Sequence, residues 1–194
     1  MKRPVLMIMA KAPRVGAVKT RLARDIGGIA AWRFHRNMLA ALVRRLTTPF
    51  WRLVMFVTPD RSRFRLPVRA AHVNQGHGDL GQRMARGLSA CPTGVPVVLI
   101  GCDIPGITTP IIRSAFDALK SHDVVFGPAT DGGFWLIGWS GRRRFWRPFA
   151  GVRWSQHDTL AATMKNFKGR RFARAVRLSD VDDLSSWLSA RDAL

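Results

Sequence analysis

Residues 97–105 read V-V-L-I-G-C-D-I-P, and the fold turns on them. Four consecutive apolar residues, three of them β-branched, run into Gly101 and then into Asp103. That is the pattern of a strand buried on both faces of a parallel sheet, emptying into a loop at its C-terminal end. Ligands of open α/β sheets sit beyond that end, so Asp103 is a candidate metal or substrate ligand. The plainer alternative is that Asp103 turns the chain ahead of Pro105.

Outward from this strand the same pattern recurs. Val5–Met9 reads as a first buried strand, and K-A-P-R-V-G-A-V-K-T-R-L follows it as a loop opening into a helix near Lys19. Helical spacing marks Ile29–Leu46, with Pro49 as its stop. Short strands are expected over Arg52–Val57, Val68–Val73, Asp123–Phe126, Phe134–Gly138 and Ala173–Leu178. Helices are expected over Leu80–Ala90, Pro110–Leu119 with Thr108 or Thr109 as N-cap, Gln156–Phe167 and Leu184–Leu194. Strands alternating with helices imply an α/β sandwich around a mainly parallel sheet. The 194 residues fit one domain, 1–194, with no internal repeat or linker.

Composition is globular, 47% hydrophobic and 23% charged, but the net charge is +20 and most of the cations are arginine. Such a surface suits phosphate recognition, and it also arises from genomic base composition. It could bind nucleic acid without specificity or draw small phosphorylated substrates into a cleft. Cys91 and Cys102 form no C-x-x-C pair, so a disulfide scaffold or structural zinc site is not expected, and a cytoplasmic location is. The basic start and the Val5–Ala10 run imitate a signal peptide, but cations continue at Lys11, Arg14 and Lys19, and a buried strand is the better reading. No stretch is long and apolar enough to span a bilayer.

Five constellations could carry chemistry. In the first loop, Lys11, Arg14, Lys19 and Arg21 can converge on an anion, with Gly16 permitting close backbone approach; the Walker spacing is absent. In Q-G-H-G-D-L-G-Q-R-M, Gln75 could read a base or ribose edge and Arg83 a phosphate, around Gly78 and Asp79. Asp103 with Pro105 is the third. The fourth is G-P-A-T-D-G-G-F-W, where Gly132 and Gly133 would let Asp131 present its carboxylate, unless it is an ordinary D-G hairpin turn. The fifth is D-V-D-D at Asp180–Asp183, either helix caps or, in a chain with 12 acids, metal ligands. Carboxylates from separate strand ends can together hold Mg²⁺ beside phosphates. The five histidines show no metal spacing, and Cys102 is expected to be a small buried residue.

Taken in order, these motifs resemble the glycosyltransferase-like bacterial proteins related to phospholactate guanylyltransferase and, more distantly, to molybdenum-cofactor guanylyltransferases. The resemblance covers essentially the whole chain. It implies the nucleotide-diphospho-sugar transferase fold, a Rossmann-like three-layer α/β/α sandwich of GT-A type. It also implies a transferase dependent on Mg²⁺ or Mn²⁺, acting on a nucleoside triphosphate or nucleotide-sugar and a small acceptor, with room for a homodimer. Carried over, Lys11, Arg14, Gly16, Lys19 and Arg21 match the anion loop, and Gln75, Gly78, Asp79 and Arg83 the second nucleotide motif. Asp103 matches the metal acid, Asp131, Gly132 and Gly133 the acceptor loop, and Trp154 with Ser155 a W-S pair near the acceptor. Asp180 and Asp182 match a late acidic motif that supplies further metal ligands, with Asp183 a rival to Asp182. Departures are Cys102 in place of a usual Ser, and Phe134 and Trp135 in a chain with no Tyr. Lys19, Asp103 and Asp131 are the expected catalytic residues, and nucleotidyl transfer is favoured slightly over glycosyl transfer. The competing class is a non-catalytic basic protein that binds nucleotide or nucleic acid, with Arg142–Phe149 stacking on bases.

Overall fold

A computed structural model describes residues 3–142, 145 and 147–191. The order along the chain is β1 (Val5–Lys11), α1 (Leu22–Ile26), α2 (Gly28–Leu46), β2 (Arg52–Thr58), β3 (Ala71–Asn74), α3 (Leu80–Ser89) and β4 (Val97–Ile100), then α4 (Thr109–Ala118), β5 (Val124–Pro128), β6 (Phe134–Trp139), α5 (Thr159–Lys165), β7 (Phe172–Arg174) and α6 (Leu184–Arg191). The strands form one sheet in the order β3-β2-β1-β4-β6-β5-β7. All neighbours pair in parallel except those of β6, which runs antiparallel to β4 and β5.

Alternation along each strand divides the core in two. Leu6, Ile8, Met55, Val57, Val98 and Ile100 pack on one face with Leu39 and Leu42 of α2 and Ile112 and Phe116 of α4. Val5, Met7, Val54, Phe56, Val97 and Leu99 pack on the other with Met84 and Leu88 of α3, and Leu160 and Met164 of α5 lie against that cluster. Period-two side-chain alternation between helical layers is what makes three layers, as expected. No helix among the described residues is long and apolar enough to cross a membrane.

The boundaries differ where sequence pattern and pairing part. The expected strand Val68–Val73 begins only at Ala71, because Pro67 has no N–H to give a ladder and Val68 rests on the core without a ladder partner. The expected strand Ala173–Leu178 shrinks to Phe172–Arg174 and returns as one bridge, Ala129 to Leu178, where β5 loses register at Gly127 and Pro128. The helix expected from Gln156 starts at Thr159, whose hydroxyl donates to the carbonyls of Arg153 and Gln156 and holds that stretch as a turn. Thr108 occupies the N-cap of α4 without a side-chain bond, while the Thr109 hydroxyl donates to the Arg45 carbonyl. Of the basic stretch Arg142–Phe149, Arg143, Arg144 and Trp146 lie outside the described residues, as do residues 192–194 of the helix expected over Leu184–Leu194.

What this topology positions is a switch point. From β1 the chain moves to β2 and β3 on one side, and from β4 it moves to the other. Ile8 pairs with Ile100, so the loops after β1 and β4 open side by side at one edge of the sheet. The long helix α2 braces both loops. His35 Nε2 lies 3.1 Å from the Lys11 carbonyl, and Arg45 donates to the carbonyls of Pro105 and Ile107 at 2.7 and 2.8 Å.

Candidate functional site

At this switch point the Lys19 ammonium lies between two carboxylates, 3.0 Å from Asp103 Oδ2 and 2.7 Å from Asp182 Oδ1. Its side chain is only 7% exposed, whereas those of Asp103 and Asp182 are 33% and 47% exposed. Lys19 holds a left-handed φ of 47°, uncommon for a residue with a Cβ, and this aims its stem from the loop into the sheet edge. Burial alone pulls the ammonium pKa down, but the charges and hydrogen bonds of Asp103 and Asp182 outweigh it and leave the pKa raised. Asp182 reaches this position because the Val181 N–H donates to the Asp103 carbonyl at 3.0 Å.

Two clefts meet at Asp182, one end of the ion triad. The first, about 750 Å³, is lined by Lys11, Lys19, Arg21, Gln75, Arg83 and Asp103, among others. The second, about 690 Å³, is lined by Asp131, Asp180, Asp183 and the serines of the α6 start. Arg21 and Asp182 face both. The Thr130 hydroxyl donates to Ser179 Oγ, which ties the β5–β6 hairpin loop to the late acidic segment.

Most of the expected site residues line these clefts, though several are already committed to the fold. Arg14 and Gly16 line neither cleft, and Gly16 faces open space. The Gln75 amide, facing the first cleft from a buried position, donates to the Phe56 carbonyl at 2.8 Å and to the Ala10 carbonyl at 3.4 Å. Asp79, expected in the nucleotide motif, lines the first cleft and is also the N-cap of α3 in a reciprocal capping box with Gln82. Gly78 has φ 99°, and a Cβ there would meet Gln82 Oε1 at 2.1 Å, so this glycine makes room for the cap. Arg83 Nε donates to the Gly78 carbonyl from the cleft wall. Asp131 accepts the Gly133 N–H at 2.8 Å in a hairpin turn, while Gly132 and Gly133 line neither cleft. Trp154, expected near the acceptor, packs instead against Phe149 and Phe134 and over Gly81.

The acids sort by geometry. Asp183 accepts from the Ser186 N–H and from the hydroxyls of Ser185 and Ser186, and these bonds hold its carboxyl down to about 2. It caps α6, whereas its rival Asp182 reaches Lys19. Asp180 stands in the second cleft; burial first, then the charges of Asp182 and Asp103, push its carboxyl above the usual range. Among the described residues no three His, Cys, Asp or Glu side chains are grouped to hold a metal, so the expected set of Asp103, Asp180 and Asp182 is not assembled as a triple. Asp103 and Asp182 do converge on one cation, and their hard oxygens suit Mg²⁺ or Mn²⁺ if phosphate oxygens and water complete the shell.

One cleft residue escaped the sequence reading. His35 is buried beneath the first loop, and burial, then the Lys19 charge, work to lower its pKa while its bond to the Lys11 carbonyl opposes them. Its helical register with Leu39 and Leu42 was the available signal. Cys102 is buried as expected, its thiol pushed up to about 12 by burial and by Asp103, so it stays protonated.

A family model described as "Uncharacterized protein conserved in bacteria (DUF2064)" matches residues 41–156. No curated protein sequence matches the chain. Among solved structures, one from Desulfovibrio desulfuricans G20, described provisionally as a nucleotide-diphospho-sugar transferase, superposes with a TM-score of 0.85 at 26% identity, covering 94% of this chain and 84% of that one. CMP:2-keto-3-deoxy-manno-octonic acid synthetase, solved with CTP, gives a TM-score of 0.60 at 9% identity over 99% of this chain and 98% of that one. Rv0371C from Mycobacterium tuberculosis H37Rv, solved with manganese, gives 0.54 at 13% identity, covering 98% of this chain and 100% of that one. The fold is that of nucleotide-diphospho-sugar transferases and nucleotidyltransferases.

Proposed function

The chain belongs to the DUF2064 family, and we propose that it is a metal-dependent transferase moving a nucleotidyl group from a nucleoside triphosphate to a small phosphorylated acceptor. The observation that carries this reading is the Lys19 bridge between Asp103 and Asp182 at the boundary of two clefts. The first cleft presents Lys11, Lys19, Arg21 and Arg83 to a triphosphate, and Arg21, which also faces the second, is the cation there for an acceptor phosphate.

In this reading Lys11, Arg21 and Arg83 bind the triphosphate in the first cleft, and Asp103 and Asp182 hold Mg²⁺ or Mn²⁺ where the clefts meet. The metal, when bound, neutralises charge on the phosphate oxygens. An acceptor phosphate oxygen attacks the α-phosphorus in line, the α–β anhydride bond breaks, and pyrophosphate leaves. Lys19 offers its ammonium to the charge that builds on the departing phosphates. Asp131 and Asp180 border the acceptor. Positioning supplies much of the remaining rate, since two substrates are held on opposite sides of one fixed triad. The relation to guanylyltransferases belongs to this reading, and the surplus of cations over one cleft favours a triphosphate over a nucleotide-sugar.

Calorimetric titration of nucleoside triphosphates and nucleotide-sugars with Mg²⁺ or Mn²⁺, repeated on Asp103→Ala, tests it. Metal-dependent binding of a triphosphate, lost in Asp103→Ala, is expected. If no nucleotide binds with either metal, the reading fails.

A further inference from the structure

The crossover between β2 and β3 takes no part in the chemistry above. It reads P-D-R-S-R-F-R-L-P-V-R-A over 59–70. Parallel strands are commonly joined through a helix, but this connection has no regular secondary structure from Ser62 to Leu66. From Arg61 onward its exposure alternates residue by residue. Arg61, Arg63, Arg65, Pro67 and Arg69 are exposed, while Ser62, Phe64, Leu66, Val68 and Ala70 are buried or half-buried. Phe64, Leu66, Val68 and Ala70 lie against the core cluster of the α2 and α4 face.

The inward residues therefore fix the outward ones. Turning the guanidiniums inward would put Phe64 and Leu66 into water, so the arginines stand in one row. Two-residue steps of extended chain are roughly 6.6 Å, but the chain turns at Arg61, where φ is 61°, and bends at Pro67 and Val68, so Arg61 to Arg69 spans less than about 26 Å. Among the described residues none of the four is ion-paired with a carboxylate. Among the described residues the one hydrogen bond donated by a guanidinium of the row runs from Arg63 to the adjacent Ser62 carbonyl, while the Arg61 backbone N–H donates to the Asn74 side chain.

We propose that this row is a docking strip for a single nucleic-acid strand, held through its phosphates. A row of exposed guanidiniums without carboxylate partners matches a chain of phosphates, each able to take a paired hydrogen bond from arginine. A membrane surface fits less well, since adhesion there draws on apolar side chains facing out, and those of this segment face the core. With no aromatic at an exposed position of the row, bases are not stacked, and binding is independent of sequence and sensitive to salt.

The test is fluorescence anisotropy with a labelled oligouridylate of about 20 nucleotides, titrated from about 50 to about 200 mM KCl. Three proteins are compared: wild type, the strip variant Arg61→Ser/Arg63→Ser/Arg65→Ser/Arg69→Ser, and a charge-matched control, Arg33→Ser/Arg44→Ser/Lys165→Ser/Lys168→Ser, altered at exposed positions elsewhere. The strip variant is expected to bind at least about tenfold more weakly, its slope of log K against log salt shallower by about 3 from four lost phosphate contacts. The control stays within about threefold of wild type. Equal losses in both variants would show diffuse charge and overturn the proposal, as would an unaltered strip variant or a wild type that does not bind. Strip-dependent binding to phosphatidylserine vesicles without oligonucleotide binding would overturn it as well. If the strip variant fails to fold by circular dichroism, Arg63→Ser/Arg65→Ser carries the test, with a slope change of about 1.4.

Discussion

Replacing Lys19 by methionine keeps most of the stem and removes the charge that joins Asp103 to Asp182. Two unit charges about 4 Å apart interact by about 4 kcal/mol at an effective dielectric of 20. Both carboxylates are a third or more exposed, so solvent screens much of this. About 1.4 to 3 kcal/mol should remain, making divalent metal bind roughly 10- to 150-fold more tightly once the competing ammonium is gone. Calorimetry with MnCl₂ and no nucleotide measures this directly. The same variant leaves two acids without their counter-charge and should lose about 1 to 2 kcal/mol, a fall in Tm of roughly 3 to 6 °C, which Mn²⁺ restores. The raised Lys19 pKa adds an alkaline signature. Its contribution is full below the ordinary value of 10.5 and is lost as pH climbs through the higher folded value, so wild type weakens in that window and Lys19→Met does not. Metal affinity unchanged or weaker in Lys19→Met would refute the idea that the Lys19 ammonium competes with a metal ion for Asp103 and Asp182.

Gly132→Ala should destabilise by about 2 kcal/mol or more, seen as a lower Tm, because φ is 88° and the new Cβ would lie 1.9 Å from the His157 carbonyl oxygen. Asp183→Ala should flatten the acid limb of stability, since the lowered Asp183 pKa contributes above its ordinary 3.8 and is lost as pH falls toward about 2; denaturation midpoints across that range check it. His35→Gln should remove a stability loss that wild type shows as pH falls from 6.5 through the depressed folded value, measured by urea midpoints between about pH 7 and about pH 5.

The sheet was legible because its strands are apolar runs closed by Gly, Pro or Asp, and V-V-L-I announces its own burial. Asp103 was legible for the same reason. Its partners were not: Lys19 lies 84 residues from Asp103 and 163 from Asp182, and only the strand order β1-β4 and the Val181 bond to Asp103 bring them together. What the pattern left out was the local role that stands beside a functional one. D-L-G-Q at Asp79–Gln82 is a capping box in plain sequence, and Asp183 with Ser186 three residues on is a cap of the same spacing. Three acids in D-V-D-D look alike on paper, but chain direction sends one to Lys19, one to the second cleft and one to a helix end.

Helix α2 touches the cation loop through His35 and the acid loop through Arg45, ten residues or about 15 Å further along its axis. It thus works as a gauge block, setting the spacing of the two loops that meet at Lys19. A single residue inserted between His35 and Arg45 would rotate one anchor by about 100° relative to the other while leaving every side chain of the triad intact. In any redesign of the clefts, the length of this helix is the dimension to leave alone.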